Sequence, residues 1–303
     1  MLDLSVIIVN WNTRDLLADC IRSVQETVHD LRYDIWVVDN ASTDDSVAML
    51  RSRFPTVNVI ANTENVGFAC ANNQAMAASS GRYMLLFNSD ALATVGAIQA
   101  LVGLAERTPR AGIVGAHLVN ADGTFQASHT RFPNIGQEFM IISGLGRRFN
   151  GYWYPSHTAE EASGPVAVDY VEGACLLVRR TAYEAVGGLD EGYFMYAEEV
   201  DWCYTMQQQG WQVWYEPAAR VIHLGGGSSQ NRRTAREADL YRSRVRFFKK
   251  YRGPLAVAAL KAMIVGFTAI KLATHSLLRS ISHGQRRRQV VSVREITTAL
   301  RKG

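Results

Sequence analysis

The sequence has 303 residues, 48% of them hydrophobic, enough apolar material for one large core or two smaller ones. Four cysteines (Cys20, Cys70, Cys175 and Cys203) stand far apart with no C-x-x-C pair, which argues against a zinc or disulfide framework and for reduced thiols in the cytosol. The formal charge of +4 hides an asymmetry: residues 1–231 hold 14 Arg and no Lys against 25 acids, and residues 232–303 hold 18 Lys and Arg against 3, a basic tail suited to an anionic surface.

In chain order, Leu4–Val9 is a buried strand with no charged leader or cleavage site before it, so no secretory signal is expected. It ends at Asn10-Trp11-Asn12-Thr13. Leu16, Leu17, Cys20, Ile21 and Val24 then recur at helical spacing, with Asn12 or Thr13 as the natural N-cap. Ile35–Val38 is a second strand ending in Asp39-Asn40, and Ser42-Thr43-Asp44-Asp45 has the form of a capping box for a helix from Ser46 to Arg51. Val57–Ile60 is a third strand, and Asn65-Val66-Gly67-Phe68 turns into an Ala-rich helix, Ala69 to Ser79. The fourth strand, Tyr83–Phe87, is apolar on both faces and turns abruptly polar at Asn88-Ser89-Asp90.

Strand and helix alternate four times in this stretch, which predicts an α/β fold with a mostly parallel sheet flanked by helices. The polar strand ends (Asn10 and Asn12, Asp39, Asn65, Asn88 and Asp90) would share one rim, where open α/β sheets bind ligands. A carboxylate beside an Asn amide suits Mg²⁺ or Mn²⁺ bridging a diphosphate, although the same residues also make ordinary turns. After the first strand there is neither a G-x-G-x-x-G fingerprint nor a P-loop.

Val95 to Thr108 has the pattern of another helix. Residues 120–165 are rich in Gly, Pro, Asn and aromatics (Tyr152, Trp153, Tyr154) and suggest either an acceptor-binding region or a surface excursion. Val166–Val171 and Gly173–Val178 restore strand character, and Thr181-Ala182-Tyr183-Glu184 has the form of a capping box for a short helix closed by Gly187-Gly188. Glu198, Glu199 and Asp201 then open a helix that Gly210 would end. Acids there answer the macrodipole, but flanking aromatics also desolvate carboxylates and raise them toward general-base values. Trp211–Tyr215 is a further strand. Val221-Ile222-His223 runs into Gly225-Gly226-Gly227, so a metal or diphosphate role for His223 stands beside a plain structural one.

Taken together, Ser5-Val6-Ile7-Ile8-Val9-Asn10, Val37-Val38-Asp39-Asn40-Ala41-Ser42-Thr43-Asp44, Asn65-Val66-Gly67-Phe68-Ala69, Asn88-Ser89-Asp90 and Phe194-x-Tyr196-x-Glu198-Glu199-x-Asp201 resemble the family 2 glycosyltransferases of GT-A fold, and among them the bacterial rhamnosyltransferases. The resemblance covers residues 4 to about 250. It implies an inverting enzyme using a nucleotide sugar, here dTDP-rhamnose, and a divalent Mg or Mn cation. By position it implies donor contacts from Asn10, Asn12, Asp39 (to the nucleobase), Asn65, Gly67, Asn72 and Asn88. Asn72 stands where many relatives carry a diphosphate-binding Arg. Asp90 would be the metal-binding last residue of a D-x-D motif whose first Asp is here Asn88, with His223 a second metal candidate. Glu199 takes the place of the family's catalytic base, one methylene longer than the usual Asp, with Glu198 and Asp201 as neighbouring catalytic candidates. Rival readings are transfer from another nucleotide sugar of UDP-hexose type, or a catalytically inactive nucleotide-sugar-binding membrane protein.

Domain organisation follows the charge: 1–231 as the nucleotide-sugar-binding catalytic domain and 232–303 as a basic, apolar helical segment. From Leu255 to Leu278 an apolar helix is interrupted by Lys261 and Lys271, which suits a helix lying in the membrane interface better than one spanning it. Arg242, Arg244, Arg246, Lys249, Lys250 and Arg252 before it and Arg286-Arg287-Arg288 after it would meet anionic lipid. A helix packed on the protein is the alternative. Nucleic acid is not an expected partner, because few aromatics accompany these bases. The expected setting is the inner face of the cell membrane, with peripheral attachment beside a lipid-linked glycan acceptor.

Overall fold

A computed structural model describes residues 2–150, 155–156, 164–225, 233–281, 296–298 and 300. Tyr152–Tyr154, Gly226, Gly227 and Arg286–Arg288 lie outside the described residues. The elements in chain order are β1 (Leu4–Asn10), α1 (Arg14–Thr27), β2 (Tyr33–Asp39), α2 (Ser46–Arg53), β3 (Asn58–Ala61), α3 (Phe68–Ala78), β4 (Tyr83–Phe87), β5 (Ala91–Ala93), α4 (Ala97–Arg107), β6 (Ala111–Val119), β7 (His129–Thr130), α5 (Ile135–Ser143) and α6 (Leu145–Asn150). There follow β8 (Val166–Ala167), β9 (Tyr170–Val171), β10 (Cys175–Arg179), α7 (Arg180–Val186), α8 (Glu198–Gln208), β11 (Gln212–His223), α9 (Arg233–Tyr251) and α10 (Gly253–Ile281).

The main sheet runs β3-β2-β1-β4-β10-β6-β11-β5, with β8 on β11. β3, β2, β1 and β4 are parallel, as the alternation of strand and helix predicts. β10 enters antiparallel between β4 and β6 and sets Cys175 opposite Phe87. Side chains alternate across each strand, so Leu4, Val6 and Ile8 pack on one face with α1 and α4, while Ile7 faces α3 and α8 on the other. β4 is covered on both faces, with Tyr83 to Phe87 at most 3% exposed, each side chain contributing about 1.5–3 kcal/mol of burial.

Three local expectations need correction. The residue before α2, Asp45, is left-handed (φ 63°) and makes no side-chain cap. Asp44 accepts instead from the Ser46 amide (3.2 Å) and hydroxyl (2.6 Å), one residue out of capping-box register. α7 begins at Arg180, whose amide is held by the Arg82 carbonyl (3.1 Å), so Thr181 lies inside the helix and caps nothing. The supposedly irregular stretch 120–165 contains β7 and two helices, α5 and α6.

The chain divides into two compact units. The first comprises Met1–Phe132, Ser156–Phe194 and Glu198–Ser228; the second comprises Pro133–Pro155, Met195–Ala197 and Ser229–Gly303. In the second, α10 packs on α9 and α5, with Leu260 and Ile264 fully buried. All four cysteines are free, and Cys20, Cys175 and Cys203 are buried.

Candidate active site

The carboxyl ends of β1 and β2 lie side by side, Asn10 opposite Asp39. Asn10 Nδ2 donates to Asp39 Oδ2 (2.8 Å), and Asp39 Oδ1 accepts from the Ser42 amide (2.9 Å). Asp39 is thus locked in one orientation at 1% exposure, with a lone pair left on each oxygen for an N–H donor. Asn12, left-handed at φ 54°, donates its amide to Ser42 Oγ (2.9 Å) and accepts from the Thr43 amide (2.7 Å), closing the loop over this pocket.

From here the network runs across the rim. Thr13 Oγ1 donates to Asn10 Oδ1 (2.6 Å) and lies 2.8 Å from Ser89 Oγ, joining the end of β1 to the turn after β4. On that turn Asp90 Oδ1 stands 3.3 Å from His223 Nε2 at the end of β11, and Asn88 Nδ2 stands 3.4 Å from the same nitrogen. Behind the ring, His223 Nδ1 lies 2.6 Å from Gln126 Oε1, an atom that only accepts. Gln126 therefore keeps a proton on Nδ1 and sets Nε2 toward Asp90, the orientation in which Nε2 could serve as a supported metal ligand. The sequence offered no sign of Gln126, which a bridge between Val119 and Phe125 brings under the ring.

Asn88 also donates its amide to the Ala174 carbonyl (3.0 Å), which ties this turn to the start of β10. One residue earlier, Gly173 carries no side chain where Glu199 passes; a Cβ there would sit 3.6 Å from Glu199 Cγ. The three carboxylates of α8 sort by surroundings. Asp201 is 3% exposed and accepts from Tyr193 Oη (3.0 Å). Glu198 is 4% exposed, and its Oε2 meets no hydrogen-bond donor among the described residues. Glu199 is partly buried as a residue, the most accessible of the three, although its Oε2 is also buried. A fourth acid joins them. Glu172, between β9 and β10, is pushed up to about 8 by burial and then by the Glu199 carboxylate. Burial, and after it Glu199, likewise pushes Glu198 well above the usual carboxylate range.

The remaining candidates support the rim. Asn65 Oδ1 accepts from the Gly67 amide (3.0 Å). Gly67 has φ +88°, and a Cβ there would lie 2.7 Å from the Phe194 carbonyl, so only glycine lets this loop close against the chain leading to α8. Asn72 is 1% exposed and donates back to the Phe68 carbonyl within α3 (2.9 Å), one turn after Gly67. Immediately before Glu198, Tyr196 and Ala197 are both left-handed (φ 71° and 64°), strain of order 1–3 kcal/mol each that marks this junction as tightly determined.

Among the described residues no group of three or more His, Cys, Asp or Glu is arranged to hold a metal ion. The Asp90–His223 pair nevertheless suits a divalent ion, which commonly takes one or two protein ligands and completes its shell with phosphate oxygens and water.

Residues 5–187 match Glycosyl transferase family 2. An N-acetylglucosaminyl-diphospho-decaprenol L-rhamnosyltransferase of Mycobacterium tuberculosis is 29% identical over 275 residues, covering 84% of this chain and 87% of that protein. The rhamnosyltransferase WbbL of Escherichia coli is 38% identical over 93 residues, 31% of this chain and 33% of that one. Among solved structures, GalNAc-T7 with UDP, GalNAc and Mn²⁺ superposes at TM-score 0.58 and 17% identity, covering 82% of this chain and about half (48%) of that one. The mannosyltransferase PcManGT of Pyrobaculum calidifontis, in complex with GDP-Man and Mn²⁺, superposes at TM-score 0.57 and 17% identity over 100% of this chain and 86% of that one. With its polar rim at the carboxyl ends of a GT-A sheet, the chain belongs to Glycosyl transferase family 2 and is a glycosyltransferase.

Proposed function

We propose that this glycosyltransferase is inverting and metal-dependent, and that it moves L-rhamnose from dTDP-rhamnose onto a hydroxyl of a lipid-linked cell-wall or surface glycan. The observation that carries the reading is the run of contacts from Asp39 through Asn10, Thr13 and Ser89 to the Asp90–His223 pair, with Glu199 beside the same turn. Under this reading the run would serve as a base-reading end and a diphosphate-holding middle, with a proton acceptor beside it. The rhamnosyltransferases among the relatives support the donor sugar.

Asp39, acceptor-only and fixed by Asn10 and Ser42, suits an N–H of a pyrimidine base. Asp90 and His223 would hold the divalent cation, which when bound supplies Lewis-acid stabilisation to the diphosphate leaving group. A diphosphate facing Asp39 and Asp90 needs a countercharge, which a divalent cation would supply. Glu199 takes the proton of the acceptor hydroxyl as its oxygen attacks the anomeric carbon. Pushed up to about 8, Glu172 retains its proton near neutrality, and burial raises Glu198 in the same direction, which leaves Glu199 as the more accessible proton acceptor. One in-line displacement inverts the anomeric centre, with no covalent enzyme intermediate.

The second unit supports peripheral attachment to the cytoplasmic face of an anionic membrane. Gly253–Thr274 is long and apolar enough to cross a bilayer, but one side of it contacts α9 and α5, with Leu260, Ile264 and Thr268 buried, and a helix lying at the interface accounts for that one-sided packing. Lys261 turns its ammonium onto the Leu300 carbonyl (2.7 Å), so its charge is satisfied within the protein. Calorimetric titration of dTDP-rhamnose and UDP-hexoses, with Mn²⁺ and with chelator, tests the donor assignment. Tight binding of dTDP-rhamnose only with metal is expected. Preference for a UDP-hexose, or metal-independent affinity, overturns it.

A further inference from the structure

We infer that the helical pair α5–α6 is a second membrane-docking element, laying its outward apolar face on an anionic bilayer together with α10. The inference rests on the proposed attachment of the C-terminal segment and adds to it a part of the chain far upstream.

Among the described residues, the contacts that hold α5 come from α9 and α10. Glu138 of α5 is 2% exposed and accepts from Arg244 Nη1 of α9 (2.8 Å), while Arg252 Nε donates to the Pro133 carbonyl just before the helix (3.0 Å). Asn134 caps α5 through the Gln137 amide (3.0 Å), and Gly144, at φ +78°, turns the chain into α6. A helix fixed this way against a protein should show water its polar residues. Here, flanking the buried Glu138–Ile142 stripe, the pair shows Ile135 (36% exposed), Phe139 (40%), Leu145 (38%) and Phe149 (72%). α10 is inverted in the same sense: Leu260, Ile264 and Thr268 are buried, while Leu255, Ala258, Ala262, Ala269 and Ile270 face out. The two surfaces meet where the Phe139 ring packs edge-on against Phe267 (5.9 Å).

Charge selects the occupant. The exposed ions of the pair are Arg147 and Arg148, and its one acid is turned inward onto Arg244. The unit to which it belongs holds 20 Lys and Arg against 4 acids. A second copy would bring Arg147 and Arg148 of each face against those of the other, and like charges facing across an interface cost several kcal/mol. A surface of phosphate headgroups over hydrocarbon satisfies both the arginines and the phenylalanines.

The test uses the full chain in a Cys70→Ser background, with an environment-sensitive fluorophore on Phe149→Cys, Leu255→Cys or Val95→Cys, the last a fully solvated apolar position of the first unit. Each is mixed with phosphatidylcholine vesicles containing about a quarter phosphatidylglycerol and a lipid quencher in the upper acyl chain. The labels at 149 and 255 should both blue-shift and be quenched about two-fold or more, and the label at 95 should not change. Quenching at 255 without quenching at 149 removes α5–α6 from the membrane and leaves the C-terminal attachment standing. No quenching at either position overturns both. A blue shift at 149 that follows protein concentration without vesicles makes the face a protein interface and overturns the inference.

Discussion

The first unit holds 12 Arg against 24 acids, and the second holds 20 Lys and Arg against 4. The first turns its chemistry inward: Asp39, Asp90, Glu198 and Asp201 are each at most 8% exposed. Six of the ten large apolar side chains exposed among the described residues belong to the second, smaller unit. Buried carboxylates and exposed phenylalanines are both costly, and each is tolerated where a partner relieves the cost. For the first unit the proposed partner is a cation-bearing donor; for the second the proposed partner is an anionic lipid surface. Carrying both on a single unit would set the positive charge that attracts lipid against the carboxylates that the reaction needs.

Changes confined to the first unit should abolish chemistry and leave attachment intact. The largest effect is expected from Glu199→Gln, which should lower kcat by about 10²–10⁴ with donor affinity within about three-fold of the parent and vesicle binding unchanged. Near-normal turnover would transfer the role of base to Glu198 or Asp201. Asp90→Ala should remove the Mn²⁺-dependent part of dTDP affinity, about 10–100-fold, and His223→Ala a smaller share. Calorimetry that gives the same affinity for parent and variant, with and without chelator, would contradict the assignment.

Gly67→Ala sharpens the comparison by straining the first unit alone. The new Cβ would lie 2.7 Å from the Phe194 carbonyl at φ +88°, so a loss of about 1–3 kcal/mol is expected in denaturant unfolding. The smallest effect concerns Glu172. Its pKa is raised in the folded state, so the stability it contributes is complete below the unfolded value and is lost as pH climbs toward about 8. Glu172→Gln should therefore gain about 1–2 kcal/mol over the parent at pH 8.5 and nothing at pH 4.5. A gain independent of pH would show that Glu172 is not a desolvated carboxylate.

The parallel half of the sheet and three of the four polar strand ends were legible because apolar runs and polar turns follow each other directly in the chain. Asn65 was not a strand end, since β3 stops at Ala61 and Asn65 serves the Gly67 turn instead. Glu172 and Gln126 escaped notice because their partners, Glu199 and His223, are distant in sequence and only the strand pairing brings them together. α5 and α6 are short, apolar on their exposed side and separated by a glycine, so they lack the polar outer face by which a surface helix is recognised. Capping boxes misled at Ser42 and Thr181 because a Ser or Thr three residues before an acid fixes neither helix start nor backbone conformation.

The division of labour is tested most directly by reversing charge on the second unit at three exposed positions, Lys249→Glu, Lys250→Glu and Lys271→Glu, in one chain. The kcat/KM is then measured on a vesicle-embedded polyprenyl-linked acceptor and on a short soluble acceptor. At about 1 kcal/mol per basic residue near an anionic surface, the account predicts a loss of about ten-fold or more on the embedded acceptor and a change within about two-fold on the soluble one. An equal loss on both acceptors, or no loss on either, would contradict it.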